Sequence, residues 1–202
     1  MTTPPPRVDG RTARSERTRN AIVDAHVQLI QDGDLRPTAD RIAKLAGVSL
    51  RALWSHFADM EALFAASGER ILENRDAAFE PVPADLPLAR RIEAYCRQRA
   101  RMLEQIGPAA RAAALKEPFS PTLQRYRRAH VDRVRDELKV LFAPELTAAG
   151  KRGGEMLAAL TGVSMFPTWG TWRDSMGLDP DSARAVLARA VTALLTAPNP
   201  AD

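Results

Sequence analysis

Residues 38–63 read TADRIAKLAGVSLRALWSHFADMEAL, and this stretch decides the fold. Thr38 follows Pro37, a pairing that opens helices, and Asp40 stands in the first turn, where the helix dipole favours a carboxylate. Ala39, Ile42, Ala43 and Ala46 recur at helical spacing and make one apolar face. Gly47 is able to take the left-handed backbone that stops a helix, and Ser49 supplies the cap of the next one. Two short helices so closely joined must cross sharply, which is the helix-turn-helix arrangement. The second of them, residues 50–56, turns Leu53 and Phe57 inward. Asp59 then caps a longer helix expected to run to residue 78.

Working outward, Ile22, Ala25, His26, Leu29 and Ile30 share one face of a helix expected over residues 15–32, and Gly33 ends it. Residues 1–14 hold Pro4-Pro5-Pro6 and few apolar side chains, the composition of a disordered basic arm. Pro81, Pro83 and Pro87 separate a first unit, residues 15–62 with the start of the linking helix beyond, from a second over residues 63–198. In that second unit helices are expected over 88–106, 108–116, 122–142, 155–176 and 182–195, with a loop around 148–154. Pro167 should kink or split the fourth of these, and Asp179-Pro180-Asp181 opens the last. No sustained period-two alternation occurs, so the fold class is all-α with about nine helices.

Composition bounds the function. The chain has 202 residues, 45% hydrophobic and 27% charged, as in a globular protein. A single cysteine, Cys96, makes no internal disulfide and points to a reducing compartment. With no apolar run long enough for a membrane span and no apolar core near the N-terminus for a signal peptide, a cytoplasmic location away from membranes is expected. His26, His56 and His130 are scattered, with no His-Glu-x-x-His, no Cys-x-x-Cys and no Gly-rich phosphate loop. No metal, cofactor or catalytic site is therefore expected, and an enzyme is disfavoured. Residues 1–57 carry nine basic and six acidic groups, while the remainder is nearly balanced. Arg7, Arg11, Arg14, Arg17 and Arg19 form a basic arm that suits a polyanion or simply a solvated tail.

Residues 18–70 resemble the TetR family of bacterial transcriptional regulators. The resemblance rests on IAKLAGVS at 42–49, LWSHF at 53–57 and DMEAL at 59–63, in that order and spacing. It covers about a quarter of the chain. Two positions depart from the family's pattern: Leu53-Trp54 stands where a small residue and tyrosine are usual, and Met60 where lysine is frequent. The resemblance implies a three-helix DNA-binding domain followed by a helical domain for ligand binding and dimerisation.

In a helix-turn-helix the leading residues of the recognition helix meet base edges, here Ser49, Leu50, Arg51 and Ala52. Arg51 carries the planar fork that engages guanine O6 and N7 together, or else holds a phosphate. Leu50 and Ala52 suit a thymine methyl, with internal packing the alternative for Leu50. Thr38, Lys44, Trp54 and His56 are the candidates for backbone contact, which sets position rather than sequence choice.

A small, largely apolar ligand is expected between helices of the second domain. Candidate linings are Tyr95, Arg99, Met102 and Leu103, then Phe119, Leu123, Tyr126 and His130, and finally Met165, Phe166 and Trp169; plain core is the competing role for each. For self-association the last helix offers Val186, Leu187, Ala190, Val191 and Leu194, and the one before it Leu157, Leu160, Thr161 and Ser164. The resemblance implies a four-helix interface across a two-fold axis, hence double-stranded DNA with an approximately palindromic operator. The expectation is a homodimeric repressor that a small-molecule effector releases. An activator, or a DNA-binding protein without ligand control, is the alternative.

Overall fold

In the first unit the caps and turns stand where the side chains put them. The computed structural model describes residues 10–77 and 79–196, with no strand among them. Helix α1 spans Gly10–Gln31, α2 Ala39–Leu45, α3 Leu50–His56 and α4 Met60–Ala77. Thr38 Oγ1 accepts from the Arg41 N–H (3.4 Å), Ser49 Oγ from Ala52 (3.1 Å) and Asp59 Oδ1 from Ala62 (2.8 Å). Each satisfies a donor that a helix start leaves open. Gly33 and Gly47 adopt φ of 94° and 67°, ending α1 and α2 in the backbone region that suits glycine. Ile22, Ile42, Leu53 and Leu63 are fully buried together, with Phe57 beside them.

Helix α1 starts five residues before the expected Ser15, because residues 10–14 contain no proline and continue the same turn. Residues 1–9 of the expected arm lie outside the described residues. Its buried face is also wider than expected: Val23 and Val27 join it because α2, α3 and α4 all pack on this helix.

The second unit comprises α5 (Leu88–Ala114), α6 (Pro121–Leu141), α7 (Ala143–Ala148), α8 (Gly153–Val163), α9 (Phe166–Gly170) and α10 (Pro180–Thr196). The helices expected over 88–106 and 108–116 are one. Pro108 removes a single backbone donor, and packing of this stretch against α1 and α9 carries the helix through it. The helix expected over 155–176 is split, as Pro167 foretold. Met165 is extended at the break, Pro167 sits in the first turn of α9, and a π-turn follows over Thr171–Ser175. Helix α7 occupies part of what reads as loop, opened by Ala143-Pro144-Glu145.

Tyr95, Leu103, Leu138, Phe142, Leu160, Trp169 and Leu187 form the main core of this unit. Arg91 is buried and clamps it: its guanidinium grips Glu145 at 2.6 and 2.9 Å and caps the Leu141 carbonyl at 2.7 Å. The arginine holds the Glu145 carboxyl below its usual range. A smaller cluster of Ile30, Phe64 and Ala112 joins α1, α4 and α5, so the two units share apolar packing.

Helix α10 turns the side of its apolar stripe that carries Leu187, Val191 and Leu195 inward. Leu187 and Val191 are fully buried against α5 and α8, as are Leu160 and Ser164, with Thr161 nearly so. Those five side chains are buried within the chain's own fold. Leu157, Val186, Ala190 and Leu194 remain wholly or partly exposed on the outer side.

Candidate nucleic-acid interface and ligand cavity

Helix α3 is anchored through one face only. Leu53 and Phe57 sit in the core, while Ser49, Leu50, Arg51, Trp54 and Ser55 face water. Leu50 is 38% and Trp54 39% exposed, large apolar surface left uncovered on a seven-residue helix. Ala52 and His56 are half-buried, and Lys44 lies exposed on α2. The packing alternative for Leu50 is thus not adopted. Thr38 is exposed, with its hydroxyl oxygen already accepting the capping bond.

Two features of this surface are not legible from motif spacing. The Arg19 guanidinium lies 5.0 Å from the Phe57 ring centre, which brings a cation of α1 beside the end of α3. Arg41 pairs with Asp34 at 2.5 Å, tying α2 to the turn after α1. Of the arm's remaining arginines, Arg14 and Arg17 are exposed on α1. Arg7 and the side chain of Arg11 lie outside the described residues.

A cavity of about 170 Å³ opens between α4, the C-terminal half of α5, α6 and α9. Five expected linings meet there: Leu123, Tyr126, His130, Met165 and Phe166. Walls absent from the expected linings come from α1 and α4, namely Ile30, Phe64, Ser67, Gly68 and Ile71. Arg99 and Met102 line a separate cleft of about 500 Å³. Tyr95, Leu103 and Trp169 are buried in the main core instead, Tyr95 donating to Ser164 Oγ (2.7 Å) and the Trp169 indole N–H to Glu104 (2.7 Å). Phe119 is 86% exposed on the Glu117–Phe119 turn, where no helix covers it.

The cavity wall is tied to α4 by several polar contacts. Tyr126 donates its hydroxyl to Glu69 (2.8 Å), and its ring is within van der Waals reach of Gly68. Burial and the Glu69 carboxylate push the Tyr126 phenol up to about 12. Ser120 donates to Glu61 (2.9 Å), and the Lys116 ammonium lies 3.8 Å from the Phe64 ring centre. Arg127 holds Glu117 at the rim through two bonds of 2.7 and 3.0 Å.

Behind this wall His26 is fully buried. Ser67 Oγ donates to the Leu63 carbonyl (2.9 Å), so the 2.7 Å contact with His26 Nδ1 is donated by the imidazole. Nε2 has no hydrogen-bond partner among the described residues, and the ring meets Phe64 edge-on. Burial, reinforced by Lys116 and opposed by Asp34, lowers the His26 pKa to about 4. Burial likewise raises the Cys96 thiol to about 12, leaving it without a reactive thiolate at neutral pH. Among the described residues no cluster of His, Cys, Asp and Glu is suited to a metal, and no helix is long and apolar enough to cross a membrane.

Comparison with known proteins agrees with this geometry. Residues 22–67 match the family model described as bacterial regulatory proteins, tetR family. No curated protein matches the chain. Among solved structures, a transcriptional regulator from Rhodococcus sp. Rha1 is similar at 22% identity, over 90% of this chain and 95% of that one, with a TM-score of 0.61. The multidrug binding protein EbrR, solved with imidazole, is similar at 19% identity over 98% and 99%, with a TM-score of 0.64. The flavonoid-responsive regulator FrrA is similar at 20% identity over 90% and 97%, with a TM-score of 0.58. Residues 22–67, on α1–α4, thus match the N-terminal domain of the tetR family, and the chain as a whole shares the fold of these solved structures.

Proposed function

We propose that the protein is a homodimeric repressor that leaves its operator when a small, largely apolar ligand enters the cavity beneath α4. The observation that carries this reading is the position of α4. One end of this helix packs on α1 and, through Leu63, joins the apolar core that also holds Leu53 of the recognition helix, and its middle forms a cavity wall through Phe64, Ser67, Gly68 and Ile71. Drug-sized ligands occupy roughly 300–1,000 Å³, and the cavity holds about 170 Å³. Such a ligand must push its walls apart. The wall of α5 and α9 is set in the main core, whereas α4 belongs to the core around α1 and is joined to α5 and α6 by a few polar contacts and a small apolar cluster. Expansion therefore moves α4, and with it α1 and the recognition helix that share its core.

At the DNA, Arg51 reads a base edge, flanked by Leu50, Ala52 and Ser49. Lys44, Trp54, His56 and the Thr38 region hold the backbone. Two copies join through the outer faces of α8 and α10, where Leu157, Val186, Ala190 and Leu194 remain available. A two-fold pair presents recognition helices to half-sites about 34–36 Å apart. A ligand that reverses a 1:99 population must favour the released spacing by about 5.5 kcal/mol.

Selection of bound DNA from a random pool tests the reading. An approximately palindromic sequence is expected, with binding to it weakened by Arg51→Ala more than binding to random DNA. A dimer mass in solution, lost in a Val186→Glu/Leu194→Glu variant, is expected alongside. A monomer that binds all DNA equally would overturn the proposal.

A further inference from the structure

The cleft of about 500 Å³ lies apart from the ligand cavity, between the N-terminal half of α5, the C-terminal half of α6 and the chain that links α4 to α5. Its walls are mostly apolar: Phe79 and Val82 from the linking chain, Met102 from α5, and Val134 and Val140 from α6. Val140 is 69% exposed, so the cleft is open to solvent on that side.

At its inner end stands Arg99, only 2% exposed. Arg99 Nε donates to the Ser164 carbonyl (2.7 Å), and one terminal nitrogen lies 4.0 Å from the Met165 sulfur. Both contacts are to neutral groups. A guanidinium has five N–H donors in a fixed fork, and a thioether is a weak acceptor. The Ser164 carbonyl ends α8 and offers only the partial negative charge of a helix C-terminus. Arg91, about two turns earlier on α5, shows the contrast: it is also buried but grips the Glu145 carboxylate through two bonds. A buried cation without such a partner is costly, and Arg99 lines an open, apolar-walled cleft of the size that small ligands fill.

From this juxtaposition we infer that the cleft is a second binding site, for an apolar monocarboxylate. The acid group pairs with the Arg99 fork, and the hydrocarbon body lies along Met102, Val134 and Val82. Asp136 and Glu137 also line the cleft, alongside Arg133. The two acids oppose a more highly charged head, so a single negative charge is favoured over a phosphate monoester. Because this site shares no lining residue with the cavity beneath α4, it stands or falls separately from the effector mechanism above.

Calorimetric titration of the full-length protein with sodium decanoate tests the inference. One saturable site per chain is expected, with at least tenfold weaker binding of 1-decanol and of decyl phosphate. Arg99→Gln should weaken decanoate binding at least tenfold. Val140→Glu places a negative charge at the mouth on an exposed position, so it should weaken binding severalfold with an unchanged thermal melt. That variant decides the matter if Arg99→Gln does not fold. Ala110→Leu, which narrows the cavity beneath α4, should leave decanoate affinity unchanged. Absence of saturable binding, equal affinity for decanol, wild-type affinity in Val140→Glu, or loss of binding in Ala110→Leu would each overturn it.

Discussion

Gly47 is the residue on which the angle between α2 and α3 turns, and replacing it by alanine separates backbone strain from crowding. Its φ is 67°, yet a Cβ built there meets nothing within 4 Å. The whole penalty of Gly47→Ala is then the left-handed conformation of an L-residue, about 1–2 kcal/mol. Gly154, the second residue of α8, is the matched control. It too has open space around a Cβ, but it lies outside the positive-φ set. There alanine should stabilise by roughly 0.4–1 kcal/mol, through the unfolded chain. Urea denaturation at fixed protein concentration reads both. With a slope of about 2–3 kcal/mol/M, Gly47→Ala lowers the midpoint by about 0.5 M without changing the slope. Gly154→Ala moves it the other way. Should Gly47→Ala prove as stable as the wild type, the tight turn ahead of the recognition helix would not depend on left-handed backbone, and the account of the motif would be wrong.

Other perturbations follow from the same geometry. Leu53→Ala empties a fully buried position and should cost about 2–5 kcal/mol, whereas Leu50→Ala, three residues earlier on the exposed face, should cost less than about 0.5 kcal/mol while weakening binding to the selected DNA. Stability should fall on acidification because of His26. Its folded pKa of about 4 lies below the 6.5 of the unfolded chain, so its contribution is complete above 6.5 and disappears as the pH drops towards 4. At about 1.4 kcal/mol per pH unit the loss reaches on the order of 3 kcal/mol, and His26→Gln should flatten that part of the denaturation profile. Tyr126→Phe keeps the ring against Gly68 but removes the hydroxyl held by Glu69. It should change stability by no more than about 1.5 kcal/mol, yet shift DNA affinity measurably in fluorescence anisotropy, since α4 loses one of its ties. An unchanged affinity would remove Tyr126 from the coupling between cavity and DNA.

The recognition unit was legible residue by residue because its determinants are local. A cap bonds a backbone N–H three residues on, and a glycine turn is decided by its own φ, so Thr38, Gly47, Ser49 and Asp59 carry their structural meaning in the chain itself. The periodicity that buries Leu53 and Phe57 and exposes Arg51 is equally local. Farther along, local rules stop deciding. Pro108 marks a helix end by its chemistry, but packing against α1 and α9 carries α5 past it. The apolar stripe of α10 says that a face will be covered; only the arrival of α5 and α8 buries Leu187 and Val191 within the chain's own fold. Phe119 and Trp169 are both large aromatics in the sequence, yet one lies in water and the other is buried, because the helices that would cover each come from distant segments. The burial of His26 beside Ser67, and the meeting of Arg99 with a break more than sixty residues away, have the same origin. Sequence by itself thus determined where helices begin, turn and expose a polar face; tertiary structure decided which apolar and charged side chains meet, because burial belongs to the contact and not to the residue.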